Sequence, residues 1–186
     1  MKFTVRFSFL NRVLFFSFYV FKKPQTPTVG MQSRCADSRH VLFLDYDCIT
    51  YDALIEELKY IQEIFQLSEF YIFKSSPKRE DKYHAICLDK ASFKEIWDII
   101  NETSCDYAFK KAPGIQQIRS WVLRFAPKKS REAPQFIQVL KSKYHIREQS
   151  AAHAKFLEVY YKVPVVLCNS DAENEMKVVS YLTSKV

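Results

Sequence analysis

The run Val41-Leu42-Phe43-Leu44-Asp45-Tyr46-Asp47 constrains the chain most, because it closes an apolar strand with two carboxylates two residues apart. Side chains alternate along a strand, so Asp45 and Asp47 point to one face. Like charges crowded at the rim of a core repel each other and resist desolvation unless a cation or a shared proton compensates them. A divalent metal is the usual compensation. The competing reading is a solvated strand end, with Thr50 and Asp52 continuing into a helix cap.

From Arg39 onward the apolar pattern alternates between strand and helix. Thr50 or Asp52 caps a helix that carries Leu54, Leu58, Ile61 and Phe65 at helical spacing and ends near Leu67. Phe70-Tyr71-Ile72-Phe73 reads as a short strand, Ser75 to Asp81 as a polar turn, and Tyr83 to Leu88 as a returning strand. Ser92 with Glu95 forms a capping box for a second helix carrying Phe93, Ile96, Trp97 and Ile100. Trp121 to Phe125 is a further strand, and Arg147 to Val163 a last helix packing Phe156, Leu157 and Tyr160. Beyond Pro164, Val165-Val166-Leu167 and Val178-Val179 add edge strands or a small helical cap. This order predicts an α+β chain: a split βαβ sheet with helices mainly on one face, plus a C-terminal helix. Ferredoxin-like, RNA-recognition and polymerase-palm domains share that plan. His84 joins the carboxylates on the open face if the strand after Phe73 returns beside the Asp-x-Asp strand.

A length of 186 residues suits one buried domain with appendages. We expect an N-terminal extension over 1–38, a core domain over 39–163 and a tail over 164–186. The apolar stretch Val13 to Phe21 falls short of the roughly 20 residues that span a bilayer, so stable membrane insertion is not expected. Arg12 abuts it and no small-residue cleavage site follows, which favours an edge strand or a disordered arm over a signal peptide. Met31 as the natural start is a third reading. Cys35, Cys48, Cys87, Cys105 and Cys168 are scattered without metal-ligand spacing, implying reduced thiols, a cytoplasmic or other intracellular setting and no zinc site.

The formal net charge of +7 favours an anionic partner, nucleic acid or nucleotides first. Between Lys110 and Arg147 lie ten cations against one acid, Glu132. Such a block suits a phosphate backbone, or else a soluble basic surface with no dedicated ligand. Within it, Arg124 and Lys128 are candidates for triphosphate or template contact, beside Arg119. Trp121, Phe125 and Tyr144 are either base-stacking or core aromatics. Ser75, Ser76, Lys78, Arg79 and Lys82 bring hydroxyls and cations to the turn before His84. That composition suits phosphate held by charge-assisted bonds, and equally an ordinary solvated hairpin loop.

Leu44-Asp45-Tyr46-Asp47, followed by Lys82-Tyr83-His84 and then Cys105-Asp106, resembles the catalytic core of the archaeo-eukaryotic primase superfamily. The likeness runs from about Val41 to about Lys128. That family carries Asp-x-Asp at the end of an early strand, Ser-x-His on a hairpin, and a hydrophobic-Asp pair before another strand. Lys82 stands where the family usually has serine. The resemblance implies that Asp45, Asp47 and Asp106 hold Mg²⁺ or Mn²⁺ and that His84 contacts the phosphates of an incoming nucleotide. It implies, further, a primase or primase-polymerase in plasmid or viral DNA replication, using single-stranded DNA template and nucleoside triphosphates, with a replicative helicase as a further partner. Nucleotidyl transfer needs oxygen-liganded cations that activate the attacking hydroxyl and neutralise the leaving diphosphate, which carboxylates can hold.

Two other readings compete. A rolling-circle replication endonuclease needs a His-hydrophobic-His metal pair and a nucleophilic tyrosine; the chain offers His84-Ala85-Ile86 and Tyr144, Tyr160 and Tyr161. A non-catalytic nucleic-acid-binding module needs only the basic block.

Overall fold

The computed structural model describes residues 2–9, 12–19, 29–79, 81–115, 119–127 and 131–168. Near the N-terminus β1 (Lys2–Phe9) and β2 (Arg12–Tyr19) form an antiparallel hairpin. The packed body follows with β3 (Gly30–Gln32), β4 (His40–Asp47), α1 (Tyr51–Phe65), β5 (Phe70–Lys74) and β6 (Lys82–Ala91). After these come α2 (Phe93–Asn101), α3 (Tyr107–Ile115), β7 (Val122–Arg124), β8 (Gln135–Leu140) and α4 (Ala151–Tyr161).

The main sheet has four strands in the order β4-β6-β5-β8, all neighbours antiparallel. β4 and β5 flank β6, so β4-α1-β5 is the expected split βαβ unit in an α+β chain. The fourth strand departs from the ferredoxin-like plan, in which it would lie beside the first; β8 instead adds outside β5. The expected strand at Trp121 to Phe125 shrinks to Val122–Arg124 and leaves the main sheet to pair with β3. Gly30 fits that ribbon because a Cβ there would sit 2.9 Å from the Leu123 carbonyl oxygen.

Helices start where side-chain acceptors stand ready. Thr50 Oγ1 accepts the Ala53 N–H and Ser92 Oγ accepts the Glu95 N–H, each satisfying a backbone donor of a first turn. Ser92 and Glu95 do not complete the reciprocal box, since Glu95 Oε1 accepts from Arg147 Nη1 at 2.5 Å. The last helix is shorter than Arg147 to Val163, because Ser150 caps it and Lys162 turns left-handed at its end. Val165 to Leu167 form no strand, and Val178-Val179 lie outside the described residues.

Strand parity decides which helix covers which face. Leu42, Leu44 and Tyr46 face α1 and α2: the Tyr46 hydroxyl donates to Glu57 on α1 at 2.9 Å, and His40 meets the Phe93 ring of α2. Phe43, Asp45 and Asp47 share the opposite face with Phe73. That face is not open throughout, for α4 lies on it, with His153 against Phe43 and Tyr161 4.6 Å from Phe73 between ring centroids. Beyond the body's midline, Lys90 and Arg39 both pair with Glu148 and Asp37, pinning the chain before α4 to the far ends of β4 and β6. α4 therefore covers the middle of the face, and the Asp-x-Asp end projects past it. No helix among the described residues is long and apolar enough to cross a membrane.

Candidate active site at the Asp-x-Asp end of the sheet

Register builds this site. β4 and β6 pair so that Asp45 stands opposite His84 and Asp47 opposite Lys82. Directly opposed residues on an antiparallel pair share a face, so both acids and both bases lie on one side of the sheet. His84 Nε2 is 3.3 Å from Asp45 Oδ1, and Lys82 Nζ pairs with Asp47 Oδ2. Exposure divides the acids from the bases: the side chains of Asp45 and Asp47 are 32% and 42% exposed, those of His84 and Lys82 only 8% and 11%. Half-solvated carboxylates thus stand over buried bases. The next residue on this row is Phe73, opposite His84 on β5.

Asp106 reaches the same neighbourhood through its backbone. Its N–H donates to the Asp45 carbonyl at 2.8 Å, laying the chain against the outer edge of β4. Its side chain has a local task, since Asp106 Oδ1 accepts the Phe109 N–H at 2.9 Å and so caps α3. Glu57 holds this connection in place by accepting both the Tyr46 hydroxyl and the Ser104 N–H. Sequence reasoning passed over Glu57, which lies one residue from the apolar stripe of Leu54, Leu58 and Ile61. Burial also pushes the neighbouring Cys105 thiol up to about 12, leaving a neutral packing group.

The expected phosphate contacts are distributed unevenly. Ser75 and Ser76 are buried where β5 ends, and the Ser75 N–H donates to the Lys82 carbonyl at 3.0 Å. Arg124 lies within electrostatic reach of Asp45, and burial lowers its pKa from the ordinary guanidinium value. Its Nη atoms donate to the carbonyls of Ser75, Ala126 and Glu132 at 2.5, 2.7 and 2.8 Å, which ties β7 to the β5–β6 turn. Arg119 is exposed in a left-handed backbone conformation, and Lys128 lies outside the described residues.

Of the stacking candidates, Trp121 is fully buried, stacked on Phe93 at 5.0 Å, and Phe125 is buried between Phe156 and Tyr160. Both belong to the core. The Tyr144 hydroxyl donates to Glu63 at 2.7 Å.

Can such a site hold a divalent cation? Among the described residues no group of three or more His, Cys, Asp or Glu side chains is placed to hold a metal ion together. Yet Mg²⁺ commonly binds through one or two carboxylates, with water and substrate phosphates completing the octahedron. Asp45 and Asp47 fit that lighter demand in donor chemistry, in shared face and in exposure. Comparison with protein-family models, with curated proteins and with solved structures finds no match to this chain.

Proposed function

We propose that this chain is a primase or primase-polymerase-like nucleotidyltransferase that acts on single-stranded DNA and nucleoside triphosphates in the replication of a plasmid or virus. The observation that carries the reading is the registered block of Asp45 with His84 and Asp47 with Lys82 on one sheet face, with Asp106 bonded to the Asp45 main chain. Asp45 and Asp47 would hold Mg²⁺ or Mn²⁺, with water and the substrate phosphates completing the coordination, while the Asp106 side chain caps α3. The bound ion would supply charge neutralisation for the triphosphate and acidify the attacking hydroxyl. His84 fixes the orientation of Asp45 through its Nε2 contact and keeps water from beneath that carboxylate. Lys82 does the same for Asp47, and α4 covers the neighbouring part of the same face, with Tyr161 on Phe73.

Incorporation of labelled nucleotides on single-stranded DNA with Mg²⁺ or Mn²⁺ tests the reading. Asp45→Ala should lower incorporation by about a hundredfold or more while leaving salt-sensitive DNA binding within about twofold, because a carboxylate adds nothing to phosphate attraction. Loss of both properties together would count against a dedicated catalytic role.

A second reading, a nucleic-acid-binding module without chemistry, is favoured by two observations: Lys82 already neutralises Asp47, and Asp106 already caps α3. DNA binding without incorporation under either metal would select it. The rolling-circle endonuclease draws less support. Of Tyr144, Tyr160 and Tyr161, Tyr161 packs on Phe73, which stands opposite His84, and burial raises its phenol pKa, opposite to what a nucleophile needs. A covalent tyrosine–DNA adduct would revive it.

A further inference from the structure

Lys82 departs from the serine of the family pattern, and its surroundings give that departure a consequence. The Lys82 side chain is 11% exposed, so most of its length is out of water and its ammonium is seated on the Asp47 carboxylate. Asp47 is the only carboxylate with which it forms an ion pair among the described residues. The pair bridges adjacent strands in direct register, and the same arrangement recurs one step along as Asp45 and His84. Asp47 therefore stands with a cation already beneath it.

We infer that Lys82 is an internal counter-cation that competes with a divalent ion for the Asp47 carboxylate, and so sets how tightly this site takes metal. The inference rests on the reading of the site as a nucleotidyltransferase. Without the ammonium, Asp45 and Asp47 would crowd one face uncompensated at that end, a repulsion that a divalent cation relieves. With it, an incoming ion must share or displace a charge that is already seated. Lys82 is thus a positioning residue that lowers metal affinity in the empty site and keeps the strand ends from repelling one another.

The test is Mn²⁺ alone, titrated into the full chain and followed by the electron paramagnetic resonance signal of the free ion. Lys82→Met should bind Mn²⁺ about fivefold tighter than the wild type, the order expected when a largely buried ion pair no longer opposes binding. Lys82→Arg, which keeps the charge, should stay within about twofold of the wild type, and adding Asp47→Asn to Lys82→Met should erase the gain. If Lys82→Met fails to fold, Lys82→Gln carries the same expectation with a polar chain of similar reach. Equal Mn²⁺ affinity in the wild type and the neutral variants overturns the inference and leaves the nucleotidyltransferase reading intact. No Mn²⁺ binding in any of these proteins overturns both.

Discussion

His40 opens β4 as a buried imidazole, its Nδ1 3.1 Å from Ser33 Oγ and its ring edge-on to Phe93 and Trp121. Burial, reinforced by the Arg34 charge, pushes its pKa down to about 4 from an ordinary 6.5. His153 is shifted the same way by burial. A histidine whose folded pKa is depressed binds fewer protons folded than unfolded. Its contribution to stability is complete above about pH 6.5 and is lost as pH falls toward about 4. The urea midpoint should therefore drop between pH 7 and pH 4.5, and His40→Gln should flatten that drop. Asp37 and Glu148 add to the drop at its acid end, because Arg39 and Lys90 hold both carboxyls below their ordinary values and the unfolded chain protonates them first, so the difference between the wild type and His40→Gln is what isolates the histidine. At this scale the sequence was readable where alternation along a single strand decides placement. The spacing of Asp45 and Asp47 sufficed to put them on one face. It placed His84 with them on condition that the returning strand pairs with β4, as it does, but could not show Lys82 opposite Asp47, since that depends on which residue of the returning strand lands opposite each acid.

The elements read from sequence were those with long periods and unambiguous caps. α1 and α2 begin at Thr50 and Ser92 as expected, and β5 and β6 enclose the expected polar turn. α3 was hidden by its own composition, for Pro113 sits inside it and argues locally against a helix. Asp106, its cap, drew attention as a metal ligand instead. β8 was missed because Gln-Phe-Ile-Gln-Val-Leu does not alternate strictly, as suits an edge strand whose residues are mostly half or fully exposed. α4 offers the sharpest prediction here. Ser150 Oγ lies 2.7 Å from His153 Nδ1 and accepts the His153 N–H at 3.5 Å, while His153 Nε2 meets the Gln32 carbonyl at 2.8 Å. Ser150→Ala removes the cap and one partner of a buried imidazole together. It should cost about 1–2 kcal/mol in denaturant unfolding, against a few tenths for an exposed serine elsewhere.

For the whole molecule, the basic block holds fewer available charges than its count of ten suggests. Arg124 serves three carbonyls, Arg147 pairs with Glu95, Lys143 with Glu63, and Lys110 donates to the Asn101 and Thr103 carbonyls. Arg119, Arg131 and Lys141 make no ion pair among the described residues. With Lys111, which sits over the Tyr107 ring, and with Lys128 and Lys129, which lie outside the described residues, at most six cations remain for a phosphate chain, so the slope of log affinity against log salt on single-stranded DNA should be no steeper than about −4. A slope near −7 would mean that the internal pairs open on binding. The composition announced a basic protein; only the fold reveals how much of that charge is internal mortar.

The two margins of the main sheet differ in kind. Along β4 the outer margin is occupied, since Val41 donates to the Ser33 carbonyl and Asp45 receives Asp106. Along β8, among the described residues, no strand follows. Among the described residues the main sheet thus offers a guest strand, from a second copy or from an extended peptide, its β8 margin, three strand spacings or about 14 Å across from the β4 carboxylates. Two copies joined β8 to β8 would use the free margin of each, so the assembly closes as a pair with both acidic corners at its outer ends.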